Sequence, residues 1–201
     1  MTGARRYRRG LALAIALFSL LLPVRAEAHL PTIGLGPVYD GIFHLLLSPE
    51  DLIPVIALAL LAGQRGAGTS RRVLWILPVA WFAGGLTGMF AATARGSFLT
   101  CLSFLLLGGL IAANAKIRVL LMTALAAILG FFHGYLNGSG INRFSDGTYS
   151  LLGLALAVFV VVALFTSFVV PLRKQWALIV VRVAGSWIAA SGLLMLGWAL
   201  R

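Results

Sequence analysis

Six long apolar runs follow a short basic N-terminal stretch, covering residues 41–63, 73–93, 97–115, 117–137, 149–170 and 177–199. Each is close to the ~20 residues that cross a hydrocarbon core as an α-helix. The breaks between them are short and polar or Gly-rich: Gln64 to Arg72, Ala94 to Gly96, Ala115-Lys116, Gly138 to Thr148, and Pro171 to Trp176. The pattern predicts an all-α membrane protein with six transmembrane helices.

The first 28 residues read as a secretory signal. Arg5, Arg6, Arg8 and Arg9 form the basic region, Leu11 to Leu22 the apolar region, and Ala26-Glu27-Ala28 an A-x-A cleavage site. The apolar region is short for a spanning helix; an uncleaved anchor is the alternative. Cleavage after Ala28 leaves a mature chain starting at His29, so residues 1–28 are expected as a signal peptide and 29–201 as a single six-helix domain. With the N-terminus outside, the inner breaks hold Arg65, Arg71, Arg72, Lys116, Arg118, Arg173 and Lys174. The outer side holds only Arg95, Arg143 and Arg201. This asymmetry predicts an N-out, C-out topology, the one a signal peptide also requires. The expected location is a bacterial inner membrane, multi-pass and in contact with membrane lipid.

Composition removes the main alternatives. The chain is 201 residues long, 61% hydrophobic and 10% charged, with a mean hydropathy of +1.02. A soluble domain runs near 45–50% apolar and about 25% charged, so too few polar residues remain here to cover a water-facing surface. The net charge of +11 lies in the short breaks; membrane orientation explains it, and no nucleic-acid partner is implied. The lone cysteine, Cys101, sits in an apolar run and reads as a small packing residue. Gly130, Gly134 and Gly138, like Gly84 and Gly88, repeat at four-residue spacing, which lets helices approach closely in lipid.

Against this background the intramembrane polar residues stand out, because each ionisable group costs about 2.5–3.5 kcal/mol at a helix centre on insertion scales. The first run holds His44, Glu50 and Asp51, with Asp40 just before it; the fourth holds His133 and Asn137; the sixth holds Arg182. On one continuous helix Asp40, His44 and Asp51 fall within about 40° of one another, and Glu50 about 100° from Asp51. On that helix Asp51 lies roughly 10 Å deeper than His44. Pro49 and Pro54 interrupt the backbone ladder around these residues. His133 and Asn137 share a face through their i,i+4 spacing. In the predicted topology both groups lie in the outer half of the membrane.

Imidazole, carboxylate and amide donors together suit a divalent cation as substrate: imidazole for nickel, cobalt, copper or zinc, and carboxylate oxygen for harder ions. The candidate ligands are His44, Glu50, Asp51, His133, Asn137 and Asp40, with His29 offering its ring and a free amine at the mature N-terminus. Each also has a structural reading: a histidine can bond two helices, Glu50 and Asp51 can cap a broken helix, and Arg182 can offset a buried carboxylate or snorkel.

These residues resemble the HupE/UreJ family of hydrogenase and urease accessory proteins, which pairs a signal peptide with six spans and is associated with nickel uptake. The family's first-helix motif, H-P-x-x-G-x-D-H, falls on His44-Leu45-Leu46-Leu47-Ser48-Pro49-Glu50-Asp51: His44 matches, Glu50 replaces the aspartate, Asp51 replaces the second histidine, and the proline and glycine are lost from their places. The fourth-helix motif, F-H-G-x-x-H-G, reads Phe132-His133-Gly134-Tyr135-Leu136-Asn137-Gly138, with its second histidine replaced by Asn137. Oxygen donors in place of two imidazoles move the expected preference from nickel or copper towards harder ions such as manganese.

The function expected is a secondary permease for a divalent cation, not an enzyme. No G-x-x-x-x-G-K-[ST] motif is present to bind a nucleotide. A non-transporting membrane subunit, held with partner chains in a larger complex, is the alternative. A b-type haem protein ligated by His44 and His133 would leave Glu50 and Asp51 without a role, so no haem is expected. Gly138-Ser139-Gly140 lacks the spacing of an intramembrane serine protease.

Overall fold

Proline and glycine set the boundaries of the helices. The computed structural model describes residues 34–91, 97–141, 146–172 and 174–200. The proposed leader, His29, Arg95 and Arg143 lie outside the described residues. Among those described, all regular structure is helical. In chain order the helices are α1 Pro37–Leu47, α2 Pro49–Gln64, α3 Ala67–Gly88, α4 Ser97–Ala112, α5 Val119–Ser139, α6 Gly147–Val169 and α7 Gln175–Ala199.

The first predicted span is not one helix. α1 and α2 meet at a bend of 76°. Ser48 stands between them in an extended conformation, φ −102° and ψ 93°. The cause is local: the ring of Pro49 disfavours the α region for the preceding residue. Pro49 itself is tolerated as the first residue of α2, where its missing N–H has no intrahelical partner to lose. Pro54 lies inside α2 without ending it. The helical wheel that aligned Asp40, His44 and Asp51 on one continuous face therefore does not apply across Ser48.

The other five runs each form one helix. α3 starts earlier than expected, so Arg71 and Arg72 lie within it rather than before it. α5, α6 and α7 are long and apolar enough to cross a membrane, and α1 with α2 makes a fourth such segment if the bent pair is one span; α4 is shorter. α7 presents Trp187, Leu193, Leu194 and Trp198 on its exposed side, a surface suited to lipid.

Three close helix pairs, α3 with α5, α4 with α7 and α1 with α6, organise the bundle. Each is seated on glycine. A Cβ on Gly134 would lie 2.0 Å from the Trp81 carbonyl oxygen, and one on Gly84 would lie 2.1 Å from that of Phe131. In α1 and α6 the same relation joins Gly41 to the Ser150 carbonyl and Gly153 to that of Val38. The four-residue glycine repeats are thus close backbone crossings, as the small-residue spacing predicts. The α3–α5 crossing fixes the height of His133, one residue before Gly134, against Trp81.

Candidate metal site

The bend at Ser48 turns α1 and α2 so that His44 and Asp51 point into one space, with His44 Nε2 3.8 Å from Asp51 Oδ2. The roughly 10 Å axial separation expected on a straight helix is overcome by the 76° turn between the two helices. α5 closes the third side. His133 Nδ1 lies 2.9 Å from Asp51 Oδ1, and Asn137 Nδ2 donates to Asp51 Oδ2 at 2.9 Å. The i,i+4 spacing of His133 and Asn137 lets one helix face bond both oxygens of the same carboxylate.

Asn137 is the hub. Its Nδ2 also donates to the His133 carbonyl at 2.8 Å, and its Oδ1 meets His44 Nε2 at 2.5 Å. An amide oxygen only accepts, so His44 donates from Nε2 to Asn137 Oδ1.

His133 is the deepest member, 1% exposed. Its ring stacks on Trp81, with centroids 5.4 Å apart and planes 24° apart, and meets the edge of Phe132. Its Nε2 lies 3.3 Å from Ser103 Oγ, and that hydroxyl donates to the Thr100 carbonyl at 2.7 Å. The two nitrogens of the His133 ring are thus held between Ser103 Oγ and Asp51 Oδ1. Burying Asp51, 6% exposed, is sustained by these donors, without which a buried carboxylate is very costly.

The arrangement therefore has a front and a back. His44, Asp51 and Asn137 form the more accessible side, offering three oxygens and, once the His44 proton moves from Nε2 to Nδ1, one nitrogen. His133, with Ser103 and Trp81, holds the carboxylate from behind. Among the described residues, no three His, Cys, Asp or Glu side chains form a preformed ligand set; the central position belongs to Asn137. A cation would enter by replacing the His44–Asn137 and Asn137–Asp51 hydrogen bonds.

Of the other expected ligands, Glu50 is exposed in the first turn of α2, and Asp40 is half-buried in the first turn of α1. Neither is among the four residues joined here. Arg182 donates from Nε to the Ala112 carbonyl at 2.8 Å, so it caps a helix end rather than offsetting a carboxylate. Cys101 is buried as a packing residue. Ser103, Thr100 and Trp81 were not legible as site residues: they sit in ordinary apolar runs, and no spacing rule links them to His133.

A family model described as "HupE / UreJ protein" matches residues 15–195. "Protein HupE" of Rhizobium leguminosarum bv. viciae is 25% identical over 185 residues, covering 90% of this chain and 94% of that protein. No solved structure matches. With the family model spanning nearly the whole length, and the two helical motifs meeting at one buried carboxylate, the chain belongs to the HupE/UreJ family.

Proposed function

We propose that this protein is a secondary permease that carries a divalent transition-metal cation across the bacterial inner membrane, capturing it at His44, Asp51 and Asn137 with His133 behind. The observation that carries this reading is the convergence of α1, α2 and α5 on one buried carboxylate in an otherwise apolar bundle. A polar cluster inside a membrane is costly and marks a pathway or a site by default. Broken helices such as the α1–α2 pair are used by transporters to line such cavities. The family is associated with nickel supply to hydrogenase and urease. The donors here, richer in oxygen, suit a harder ion than an all-imidazole site. In this reading the leader is removed, six segments span the membrane, and the cluster opens to the outer side.

The test is metal uptake by cells, together with metal bound per purified protein. His44→Ala, Asp51→Asn and His133→Ala should each lose most of both. Asp51→His combined with Asn137→His should shift preference towards nickel or copper. Unchanged uptake and metal content in folded His44→Ala and His133→Ala proteins would overturn the permease reading.

One observation favours a second reading, a non-transporting subunit of a membrane complex. Asp51, Asn137 and His133, with Ser103 and His44, find hydrogen-bond partners among themselves, as a structural polar knot would. That reading requires the protein to purify with other chains; purification alone, with metal bound, excludes it.

A further inference from the structure

The end of the bundle remote from Asp51 carries positive charge without a counter-ion among the described residues. The described acidic residues are Asp40, Glu50, Asp51 and Asp146. Asp51 and Arg65 lie at opposite ends of α2, roughly 20 Å apart at 1.5 Å per residue. Asp146 begins α6, four residues before Ser150, whose carbonyl faces Gly41 of α1; it belongs to the same end as Asp40. Arg65, Lys116, Arg118 and Arg182 therefore share the other end without a described carboxylate.

Two of these arginines meet at one place, the C-terminus of α4. This helix of 16 residues is about 24 Å long, shorter than the ~30 Å hydrocarbon core, so its last carbonyls need partners close to the membrane boundary. A backbone motif supplies some. Asn114 takes a left-handed φ of 48°, Ala115 N–H donates to the Leu110 carbonyl, and Asn114 N–H donates to that of Ile111, the two bonds of a Schellman cap. Arg182 Nε then bonds the Ala112 carbonyl, Arg65 Nη2 bonds Asn114 Oδ1, and Gln64 reaches the Ile111 carbonyl.

These contacts leave much of each guanidinium unused. A guanidinium has five N–H donors, and the bonds above take one from each arginine. Arg65 Nε is buried with no hydrogen-bond partner. Burial also pushes the Arg65 guanidinium below its ordinary value, through desolvation. A helix C-terminus carries only about half a negative charge, which two full positive charges exceed. Lys116 and Arg118 follow Asn114 directly and are exposed.

We propose that Arg65 and Arg182, converging on the C-terminal end of α4 with Lys116 and Arg118 beside them, bind the headgroup phosphate of an anionic phospholipid. The fork of donors on arginine matches a phosphate's oxygens. Basic pockets between membrane helices bind anionic headgroups by this chemistry. The lipid would complete the cap of α4 and link α2, α4 and α7 at this corner.

The experiment uses the full chain in nanodiscs of phosphatidylcholine with increasing phosphatidylglycerol, reading thermal stability and the lipid retained on gentle detergent extraction. Phosphatidylglycerol should raise stability and stay bound, and inorganic phosphate at the same concentration should do neither. Arg65→Gln with Arg182→Gln should weaken retention by about fivefold for each arginine removed. Arg71→Gln with Arg72→Gln should leave retention at the parent level. Equal loss in both double variants, no loss in the first, or an equal effect of inorganic phosphate would overturn the proposal. Should the first variant not fold, the parent chain still decides. A phosphatidylglycerol with a photoreactive headgroup should crosslink to residues 111–118 and 178–186; crosslinks spread evenly over all the loops would overturn the site.

Discussion

Asp51 can be replaced in two ways that separate charge from hydrogen bonding. In Asp51→Asn the new amide has a donor and an acceptor where the carboxylate had two oxygens. Its oxygen can accept from Asn137 Nδ2, now bonded to Asp51 Oδ2 at 2.9 Å. Its NH2 can donate to His133 Nδ1, which faces Asp51 Oδ1 at 2.9 Å. In the Nε2–H tautomer, with Ser103 accepting, that nitrogen is free to accept the amide N–H. Every bond in the cluster survives, and the stability cost should stay below about 1 kcal/mol, the net worth of one ordinary hydrogen bond. Asp51→Ala instead strands His133 Nδ1 and one Asn137 N–H in a buried site. At about 1–3 kcal/mol for each of the two orphaned groups, the loss should be about 2–6 kcal/mol. That corresponds to about 2–4 °C of unfolding midpoint for each kcal/mol in a chain of this size. The assay is thermal unfolding in one detergent, followed by the fraction still monodisperse, with metal uptake measured on the same variants. Both variants should lose uptake, and only Asp51→Ala should lose much stability. If Asp51→Asn were as unstable as Asp51→Ala, the hydrogen-bond assignment would be wrong; if it kept full uptake, the charge would have no role in transport.

Other outcomes follow from the same structure. Ser103→Ala removes the partner of His133 Nε2 and should cost about 1–2 kcal/mol, read as a lower unfolding midpoint; an unchanged midpoint would show that Ser103 does not hold the ring. Gly134→Val drives a side chain into the Trp81 carbonyl and should cost about 1–3 kcal/mol or more through helix separation. Gly109→Ala, with nothing within 4 Å of the new Cβ, should be neutral or slightly stabilising, and equal midpoints for these two would contradict the glycine crossings. With a cysteine introduced at Arg71 or at Asp146, an impermeant thiol reagent added outside should label only the second; the reverse pattern would invert the topology. Intact mass should show a chain starting at His29, and a mass that includes residues 1–28 would refute cleavage.

Much of the architecture was legible because membrane insertion imposes simple rules. Apolar runs of about 20 residues must be helical, since no water is present to satisfy a bare backbone. The rarity of intramembrane polar residues singled out His44, Asp51, His133 and Asn137 without any structure. Glycine spacing announced the close crossings, although it did not say which carbonyl each glycine would meet.

Tertiary structure decided what these residues do to one another. Pro49 marks a break, but the angle at Ser48 depends on how α1 packs against α6, where Gly41 and Gly153 bring the two backbones together. That angle, and not the helical wheel, brings His44 to Asp51 and leaves Glu50 exposed. Trp81 joins the site only because α3 packs along α5, and Ser103 because α4, seated on α7 and α2, brings it within reach of His133; their own segments carry no polar pattern. Arg182 finds the end of α4 rather than a carboxylate for the same reason: its partner lies 70 residues away. Local spacing specifies where a helix breaks and which residues are costly to bury. The partners that offset that cost come from other helices, and their positions follow from packing across the whole bundle.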